Sequence, residues 1–225
     1  MERAEDAVVV QTDPDGRMEL ITAGEKAGHG ASVDFRRVTL KGISSSPLVR
    51  ACGPKGALLD ATAGLGGDSF ILAAAGFAVT AIERSPLVAA VLRDGLARAR
   101  AEPRTAAIAH RIELHEGDAR SFIAGAAHEW AVIYLDPMYP VKSASALAAK
   151  PIRLVRGAVG DDLDALQLFR AAALSSCGRI VVKRPHHAES LAPGADLVFD
   201  SKLARYDVYV RHGKALRASA QRSES

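Results

Sequence analysis

Two short motifs hold the residues that are best suited to chemistry in this sequence. In the first, Gly64 and Gly66 form a glycine turn directly after the apolar segment that ends at Asp60. In the second, Asp136 and Pro137 follow another apolar segment and precede Tyr139. Glycines let a backbone approach a ligand closely, and a carboxylate beside a proline and an aromatic ring can hold a flat amine. The two motifs together predict a nucleoside cofactor and an amine substrate.

A carboxylate at Glu83 strengthens the cofactor interpretation of the first motif. It ends the apolar segment that follows the glycine turn, where it can accept hydrogen bonds from two ribose hydroxyls. A dinucleotide would need a third glycine and free helix N–H groups for its pyrophosphate. Asp60 and Asp68 flank the turn and would repel a diphosphate, whereas S-adenosylmethionine carries a sulfonium and an ammonium. The charges therefore favour S-adenosylmethionine over NAD.

Three further residues near the ends of these segments are candidates for cofactor contacts. Arg84 can lie along an adenine edge or be solvated. Asp118 can reach the adenine amino group or cap the next helix, and Asp68 can likewise be a ligand or an N-cap. Both interpretations of each residue remain open from the sequence.

The second motif predicts how an amine is made reactive. The lone pair of an exocyclic base amine is delocalised into the ring, so the amine is a poor nucleophile. Asp136 and a backbone carbonyl can accept its two N–H bonds, aim the lone pair at a methyl group and stabilise the developing positive charge. Pro137 would stiffen the loop, and a base stacked on Tyr139 would gain on the order of 1–3 kcal/mol. The alternative is a proline-rich turn with Tyr139 in the core.

Basic residues downstream of the second motif are candidates for contacts with an RNA backbone. Lys142, Lys150 and Arg153 lie in a basic stretch that can close over RNA or form a solvated loop. Lys183 and Arg184 end the next apolar segment and can add phosphate contacts. The histidines that follow have no paired metal-ligand pattern, so no metal site is predicted.

Alternating apolar and helical segments place both motifs in a predicted α/β fold. Strands are predicted at 57–61, 78–83, 111–116, 131–135, 179–183, 196–201 and 205–211, and helices at about 47–52, 68–75, 86–100, 119–125 and 161–176. Strands separated by helices pair in parallel, and the last two strands should form an antiparallel hairpin at one edge. Ser85 is predicted to cap the helix that begins at Pro86. This layout is that of the Rossmann-like, class I S-adenosylmethionine-dependent methyltransferases.

Composition and segment boundaries complete the prediction. Residues 1–46 are predicted as an N-terminal arm and linker, 47–213 as the methyltransferase domain and 214–225 as a basic C-terminal tail. The formal net charge of +3 permits nucleic-acid binding without requiring it. Cys52 and Cys177 are too few for a disulfide framework, and the sequence shows neither a signal peptide nor an apolar run of membrane-spanning length. We therefore expect a cytoplasmic protein.

Six segments between about Leu58 and Tyr209 carry a family resemblance: DATAGLGGDSF, AIERSP, VAAVLRDGLARA, YLDPMYP, KSA and VVKRP. They resemble the bacterial ribosomal RNA small subunit methyltransferase J family. The resemblance implies methylation of the N2 amine of a guanine in 16S rRNA, with naked rRNA or an assembling 30S subunit as the partner. This sequence departs from the family pattern in two places. One is residues 36–44, and the other is Gly67, where family members often have an arginine. The cofactor contacts that it implies are Gly67, Asp68, Glu83, Arg84, Asp118, Ala119 and Asp136.

Other functions remain open from the sequence. The same site can methylate an adenine or cytosine amine in DNA, or an amine of a small molecule. A catalytically silent RNA-binding module can retain the fold, although Asp60, Glu83 and Asp136 argue against it. An NAD-dependent dehydrogenase is disfavoured by the acidic residues around the glycine turn.

Overall fold

Strands and helices alternate along most of the chain. The structure is a computed structural model that describes residues 7–126, 129–138, 150–159 and 164–211. The strands are β1 (Val8–Thr12), β2 (Met18–Thr22), β3 (Ala31–Ser32), β4 (Ala57–Asp60), β5 (Ala78–Glu83), β6 (Ile112–Glu116), β7 (Val132–Leu135), β8 (Arg179–Arg184), β9 (Leu197–Asp200) and β10 (Arg205–Val210). The helices are α1 (Pro47–Cys52), α2 (Gly67–Ala75), α3 (Pro86–Ala101), α4 (Ala106–Ala109), α5 (Ala119–Gly125), α6 (Lys150–Val159) and α7 (Ala165–Leu174).

A seven-stranded sheet, in the order β6-β5-β4-β7-β8-β10-β9, forms the centre of the protein. β6, β5, β4, β7 and β8 pair in parallel, whereas β10 is antiparallel to both β8 and β9. All four residues of β7 are buried, as expected for a parallel strand with helices on both faces of its sheet. Strands β4 to β6 extend the sheet in one direction and β7 and β8 extend it in the other, so the strand order reverses between β4 and β7. Ligands of such sheets bind at this point. The predicted fold class is confirmed.

The N-terminal segment forms a small antiparallel sheet, β1-β2-β3, that packs against the central domain. Val33 and Phe35, which follow β3, are buried, and Phe35 stacks on Phe70 of α2 with ring centroids 4.4 Å apart. Arg98 Nη2 of α3 donates to Val33 O at 2.7 Å. A Cβ at Gly95 would lie 2.4 Å from Val33 Cγ1, so this glycine permits the close contact. The buried residues of this segment are therefore part of the hydrophobic core.

The prediction for Ser85 was wrong in its detail. Ser85 occupies the N-cap position of α3, but its side chain makes no capping hydrogen bond. Its hydroxyl donates instead to Ala158 O of α6 at 3.2 Å, and its N–H donates to Glu83 Oε1. A tertiary contact thus replaces the local cap, whereas Pro86 lies in the first turn of α3 as predicted.

Two helices differ from their predicted extents. Residues 150–159 were predicted within a basic loop but form α6, because Leu154 and Val155 pack in the core. α7 begins at Ala165 rather than at 161, and residues 160–163 lie outside the described residues. Within the described ranges, no helix is long and apolar enough to span a membrane.

Candidate active site

Two clefts open at the carboxyl ends of the parallel strands and share one wall. The inner cleft encloses about 610 Å³ of space continuous with solvent, and its lining includes Glu83, Arg84, Asp118 and Asp164. The outer cleft is larger, about 2290 Å³, and its lining includes Asp68, Arg156, Lys183 and His187. The shared wall consists of Thr62, Gly64, Asp136, Pro137, Met138 and Val155. A ligand in one cleft can therefore meet a ligand in the other beside Asp136.

The glycine turn and Glu83 form one side of the inner cleft. Glu83 ends β5 and is 5% exposed, and its carboxylate accepts from the N–H groups of Gly64 and Ser85 at 2.8 Å each. These bonds fix the acid against the turn. Gly64 has a φ of +54°, in the left-handed region, and a Cβ added there would meet no atom within 4 Å. The turn therefore leaves the cleft open directly beside a buried carboxylate.

The two following glycines have different roles. Gly66 has a φ of +76° and is the N-cap of α2, and a Cβ there would lie 2.5 Å from Leu92 Cδ1. Packing against α3 therefore requires this glycine. Gly67 begins α2 and lines the outer cleft, and a Cβ there would meet nothing within 4 Å. Of the two, only Gly67 leaves space for a ligand.

These residues fit the adenosine part of S-adenosylmethionine. A buried carboxylate at a strand end suits ribose hydroxyls, and unobstructed glycine backbone suits close approach of the ligand. Ala119 and Ile82 add apolar surface to the same cleft. The acidic residues of the outer cleft, described below, suit a cationic group.

Arg84, Asp118, Arg120 and Asp164 form a charged rim along the inner cleft. Asp164 pairs with Arg84 at 3.2 Å and with Arg120 at 3.1 Å. Asp118 pairs with Arg120 and also accepts from the Arg120 N–H at 2.7 Å as the N-cap of α5. Hydrogen bonds from the Arg120 side chain are the main cause that lowers the pKa of Asp118 to about 2. Asp118 is thus both a helix cap and a cleft residue, so its two interpretations are compatible.

Asp60, Asp68 and Asp136 form an acidic cluster around Lys183. Lys183 Nζ donates to Asp68 Oδ2 and to Asp136 Oδ2 at 2.8 Å each. Tyr134, which is fully buried on β7, donates its hydroxyl to Asp68 Oδ2 at 2.6 Å. Asp60 ends β4 and is 1% exposed, and the negative charges of the other two carboxylates help to raise its pKa. Lys183 therefore pairs with two of the three carboxylates, whereas Asp60 accepts hydrogen bonds from the Ser69 hydroxyl and the Thr62 N–H.

Burial and charge set the protonation states in this cluster. Burial raises the pKa of Asp60 to about 7, and the charges of Asp68 and Asp136 contribute, although two hydrogen bonds oppose the rise. Burial opposes the charged form of Lys183, but Asp136 and Asp68 outweigh it and raise the pKa of Lys183. Burial and the neighbouring carboxylates also raise the pKa of Tyr134 well above its usual value. At neutral pH Lys183 is a cation, Tyr134 is a neutral donor and Asp60 is near its midpoint.

Two hydrogen bonds hold the end of β7 and the segment that follows it against the glycine turn. The Asp136 N–H donates to Thr62 Oγ1 at 2.6 Å, and the Ala61 N–H donates to Tyr134 O at 3.0 Å. Pro137 lines both clefts. The structure therefore brings the two sequence motifs together. Tyr139 lies outside the described residues, so its stacking role stays a prediction.

Lys183 and Arg184 were predicted as phosphate contacts, but both side chains form hydrogen bonds within the protein. Lys183 is held by two carboxylates within the cluster. Arg184 is 5% exposed, and its Nε and Nη2 atoms donate to Glu189 O at 3.0 and 2.8 Å. Arg184 thus supports the loop after β8, since its guanidinium faces a backbone carbonyl.

The other predicted RNA contacts lie on or before α6. Lys150 pairs with Glu25 of the N-terminal segment at 2.9 Å, and Arg153 is exposed on the same helix. Lys142 lies outside the described residues. Arg156, one turn after Arg153, lines the outer cleft. A role in RNA binding stays a prediction for Lys142, Lys150 and Arg153.

The sequence interpretation missed several residues that the structure places in the site. Tyr134 was assigned to a buried strand, and its hydroxyl gave no separate signal. Thr62 lies between Asp60 and Gly64, so its position in the turn could have identified it. Arg120 and Asp164 come from distant segments and had no local signal. Among the described residues, no group of three His, Cys, Asp or Glu side chains is arranged to hold a metal ion.

Comparisons with known proteins agree with this geometry. A family model described as "Putative SAM-dependent methyltransferase" matches residues 2–211. A ribosomal RNA small subunit methyltransferase J from Ectopseudomonas mendocina is 43% identical over 211 residues, covering 87% of this chain and 80% of the relative. The chain belongs to the methyltransferase J family. A relative of the same name from Coxiella burnetii is 40% identical over 204 residues, with 86% of this chain and 80% of the relative covered.

Methyltransferase J membership confirms the cofactor and the enzyme class predicted from the sequence. The chain is an S-adenosylmethionine-dependent methyltransferase. A solved S-adenosylmethionine-dependent methyltransferase from Neisseria gonorrhoeae has the same fold, with a TM-score of 0.68 and 32% identity. The match covers 94% of this chain and 86% of that one.

Proposed function

We propose that this methyltransferase J family member methylates the N2 amine of a guanine in small-subunit ribosomal RNA. The names of the curated relatives support the RNA substrate, and the shared wall of the two clefts supports the amine chemistry. Such an enzyme would act on 16S rRNA, either naked or in an assembling 30S subunit, in the cytoplasm.

The position of Asp136 is the observation that carries the proposal. Its side chain lies on the wall between the inner cleft, which suits adenosine, and the outer cleft, which can admit a nucleotide. A carboxylate there can accept an N–H bond from an amine and stabilise the positive charge that develops on nitrogen. Holding the amine in line with the methyl group supplies the remaining acceleration through proximity and orientation.

The residues of the two clefts divide the work of binding. S-adenosylmethionine supplies an electrophilic methyl group on a sulfonium. Glu83 would hold the ribose hydroxyls, with Gly64 and Ala119 lining the nucleoside cleft and Asp118 near the adenine. The acidic cluster, with Asp68 in the first turn of α2, would favour the cationic amino-acid end. Pro137 would limit the freedom of the loop that carries Asp136.

The outer cleft is the larger of the two and is open to solvent, which gives an RNA nucleotide access to Asp136. Its volume of about 2290 Å³ includes open solvent, and Arg156 and His187 are on its lining. A base must leave its stack before its amine can reach Asp136, since enzymes that act on bases take them out of a duplex. An open cleft beside a narrower cofactor cleft is compatible with such an extruded base.

Identification of the methylated nucleoside tests the proposal. Purified protein would be incubated with methyl-labelled S-adenosylmethionine and, separately, with 30S particles, naked 16S rRNA, 23S rRNA and DNA. The RNA should come from a strain that lacks this protein, so that the target is unmodified. We expect N2-methylguanosine in small-subunit RNA only. Label in DNA, in another nucleoside or in none of the pools would contradict the proposal.

A further inference from the structure

We propose that Lys183 is a positioning residue for methyl transfer, which holds the Asp136 carboxylate in its working orientation and keeps it ionised. This inference rests on the proposed function of Asp136 as the amine acceptor. It replaces the phosphate contact predicted from the sequence with a role inside the site.

The strand register places Lys183 on the same face of the sheet as the other members of the cluster. Asp60 of β4 is paired with Tyr134 of β7, and Tyr134 is paired with Val181 of β8. Lys183 lies two residues after Val181, and residues two apart on a strand share a face. Three adjacent strands thus bring an acid, a hydroxyl and a lysine side by side at their carboxyl ends.

The two hydrogen bonds of Lys183 connect the two halves of the reaction site. One bond goes to Asp68, on the first turn of the helix that follows the glycine turn, and the other goes to Asp136. The bond to Asp136 fixes its Oδ2 atom, and the Asp136 N–H is fixed by Thr62 Oγ1. Both ends of this residue are therefore anchored before a substrate arrives, as a preorganised site requires.

Lys183 also counters an excess of negative charge. Asp68 and Asp136 bind it directly, and Asp60 and the phenol of Tyr134 lie close enough to both carboxylates for the charges to interact. The phenol of Tyr206 also interacts with the charge of Lys183. Arg156 and His187 line the same cleft. Carboxylates that share one site without a cation disfavour each other's ionised forms, so one of them would hold a proton. A protonated Asp136 would have lost its negative charge and could not stabilise a positive nitrogen by charge.

The same geometry excludes Lys183 as the base of the reaction. In the transfer a nitrogen–carbon bond forms, the carbon–sulfur bond breaks with its electron pair left on sulfur, and the nitrogen then releases one proton to solvent water in the outer cleft. Asp136 and Asp68 keep the Lys183 ammonium protonated, so it has no lone pair with which to take that proton. Lys183 therefore acts through Asp136 rather than on the substrate.

Three variants test this role. Lys183→Met removes the charge and keeps the aliphatic stem, Lys183→Arg keeps the charge, and Lys55→Met is a matched control at an exposed lysine that lines neither cleft. The readouts are kcat and KM for 16S rRNA across a pH series, with cofactor saturating. We expect Lys183→Met to lower kcat roughly 10- to 100-fold at neutral pH through misplacement of Asp136. The acid limb of the kcat–pH profile of Lys183→Met should move to higher pH by about 1 to 3 units.

The remaining outcomes separate this role from the alternatives. Lys183→Arg should keep the acid limb near that of wild type, and Lys55→Met should match wild type in both readouts. If Lys183→Met raises KM for RNA while kcat and the acid limb stay unchanged, Lys183 is a phosphate contact and the proposal is overturned.

A measurement without substrate keeps the test independent of the proposed function. The loss of unfolding free energy in Lys183→Met, relative to wild type, should shrink as the pH falls, because protons then relieve the uncompensated carboxylates. A loss that is the same at every pH would contradict the charge role. Failure of the wild-type enzyme to methylate any RNA would overturn the proposed function but leave this measurement interpretable.

Discussion

The rim of the inner cleft and the acidic cluster of the outer cleft contain the same kinds of residues in different proportions. The rim has two arginines and two aspartates, which pair with one another. The cluster has three aspartates and one lysine. The pKa values of their aspartates shift in opposite directions: that of Asp118 in the rim falls to about 2, and that of Asp60 in the cluster rises to about 7.

This difference shows how the site can distinguish the two ends of one cofactor. The rim has equal numbers of arginines and aspartates and borders the cleft that we propose for the adenosine, which carries no phosphates. The cluster carries more carboxylates than cations, so a ligand that brings positive charge relieves it. Lys183 is already paired with Asp68 and Asp136, so the excess of carboxylates would repel a diphosphate. The contrast supports the charge argument, made from Asp60 and Asp68 in the sequence, for S-adenosylmethionine.

The largest expected effect comes from Asp136, the cluster residue on the shared wall. Asp136→Asn should reduce methyl transfer by roughly 10²- to 10³-fold or more, because the amide cannot balance a positive nitrogen as a carboxylate does. Affinity for S-adenosylhomocysteine, measured by calorimetry, should stay within a few-fold of wild type. Transfer at the wild-type rate would show that Asp136 is not the amine acceptor.

Glu83 should affect binding rather than transfer. In Glu83→Gln the amide group would turn a donor towards Gly64 or Ser85, each of which needs an acceptor. Loss of this hydrogen-bonded charge should weaken cofactor binding by about 1–3 kcal/mol. Glu113→Gln, at an exposed acid on β6, is the matched control and should bind as wild type does. Unchanged affinity in Glu83→Gln would remove this residue from the cofactor site.

Asp60 should make stability depend on pH. Its ordinary pKa is 3.8, whereas burial raises the folded-state pKa to about 7. The bound proton therefore stabilises the folded state below the ordinary pKa, and this stabilisation is lost as the pH rises towards 7, by about 1.4 kcal/mol per pH unit. Asp60→Asn cannot lose that proton, so its unfolding free energy relative to wild type should rise over this range and then level off.

Denaturant unfolding of wild type and Asp60→Asn across this pH range checks the prediction. Asp118→Asn is the matched control, because the pKa of Asp118 shifts in the other direction. Its difference from wild type should stay nearly constant over most of this range, because Asp118 is ionised there, and should shrink only at more acidic pH, where the wild-type carboxylate takes up a proton and loses its ion pair. A constant difference between Asp60→Asn and wild type would contradict the assigned state of Asp60.

The smallest effect should come from the rim. Asp164→Asn removes the acid that bridges Arg84 and Arg120, but all three side chains are partly exposed to solvent. Exposed ion pairs contribute about 0–1 kcal/mol, so stability should change by no more than this. The change should shrink further in high salt. A loss as large as that of a cluster variant would remove the contrast between rim and cluster.

The sequence predicted the parts of the site that depend on chain order. Gly64, Glu83 and Asp136 lie at the carboxyl ends of β4, β5 and β7, which are parallel neighbours in the sheet, so these ends meet at one edge. Local signals were therefore sufficient to bring them together. The fold was predictable for the same reason, since alternation of strands and helices fixes parallel pairing.

The sequence did not predict which groups pair across the sheet. Lys183 was interpreted as a candidate phosphate contact because it ends a strand at this edge of the sheet, but the face on which it lies is set by the register of β8 with β7. The segment that forms α6 was interpreted as part of a basic stretch because of its lysine and arginines. Its apolar residues Leu154 and Val155, which pack in the core, were not used as a helix signal. The link from Asp164 to Arg84 joins residues 80 positions apart, and no local pattern contains it.

A structure of the enzyme with S-adenosylhomocysteine and a guanosine-containing RNA fragment is the most direct test of the amine site. We predict that the adenosine occupies the inner cleft with its ribose at Glu83. The guanine N2 should lie in the outer cleft, about 3 Å from an Asp136 carboxylate oxygen. A base amine that is bound away from Asp136, or adenosine outside the inner cleft, would contradict the account.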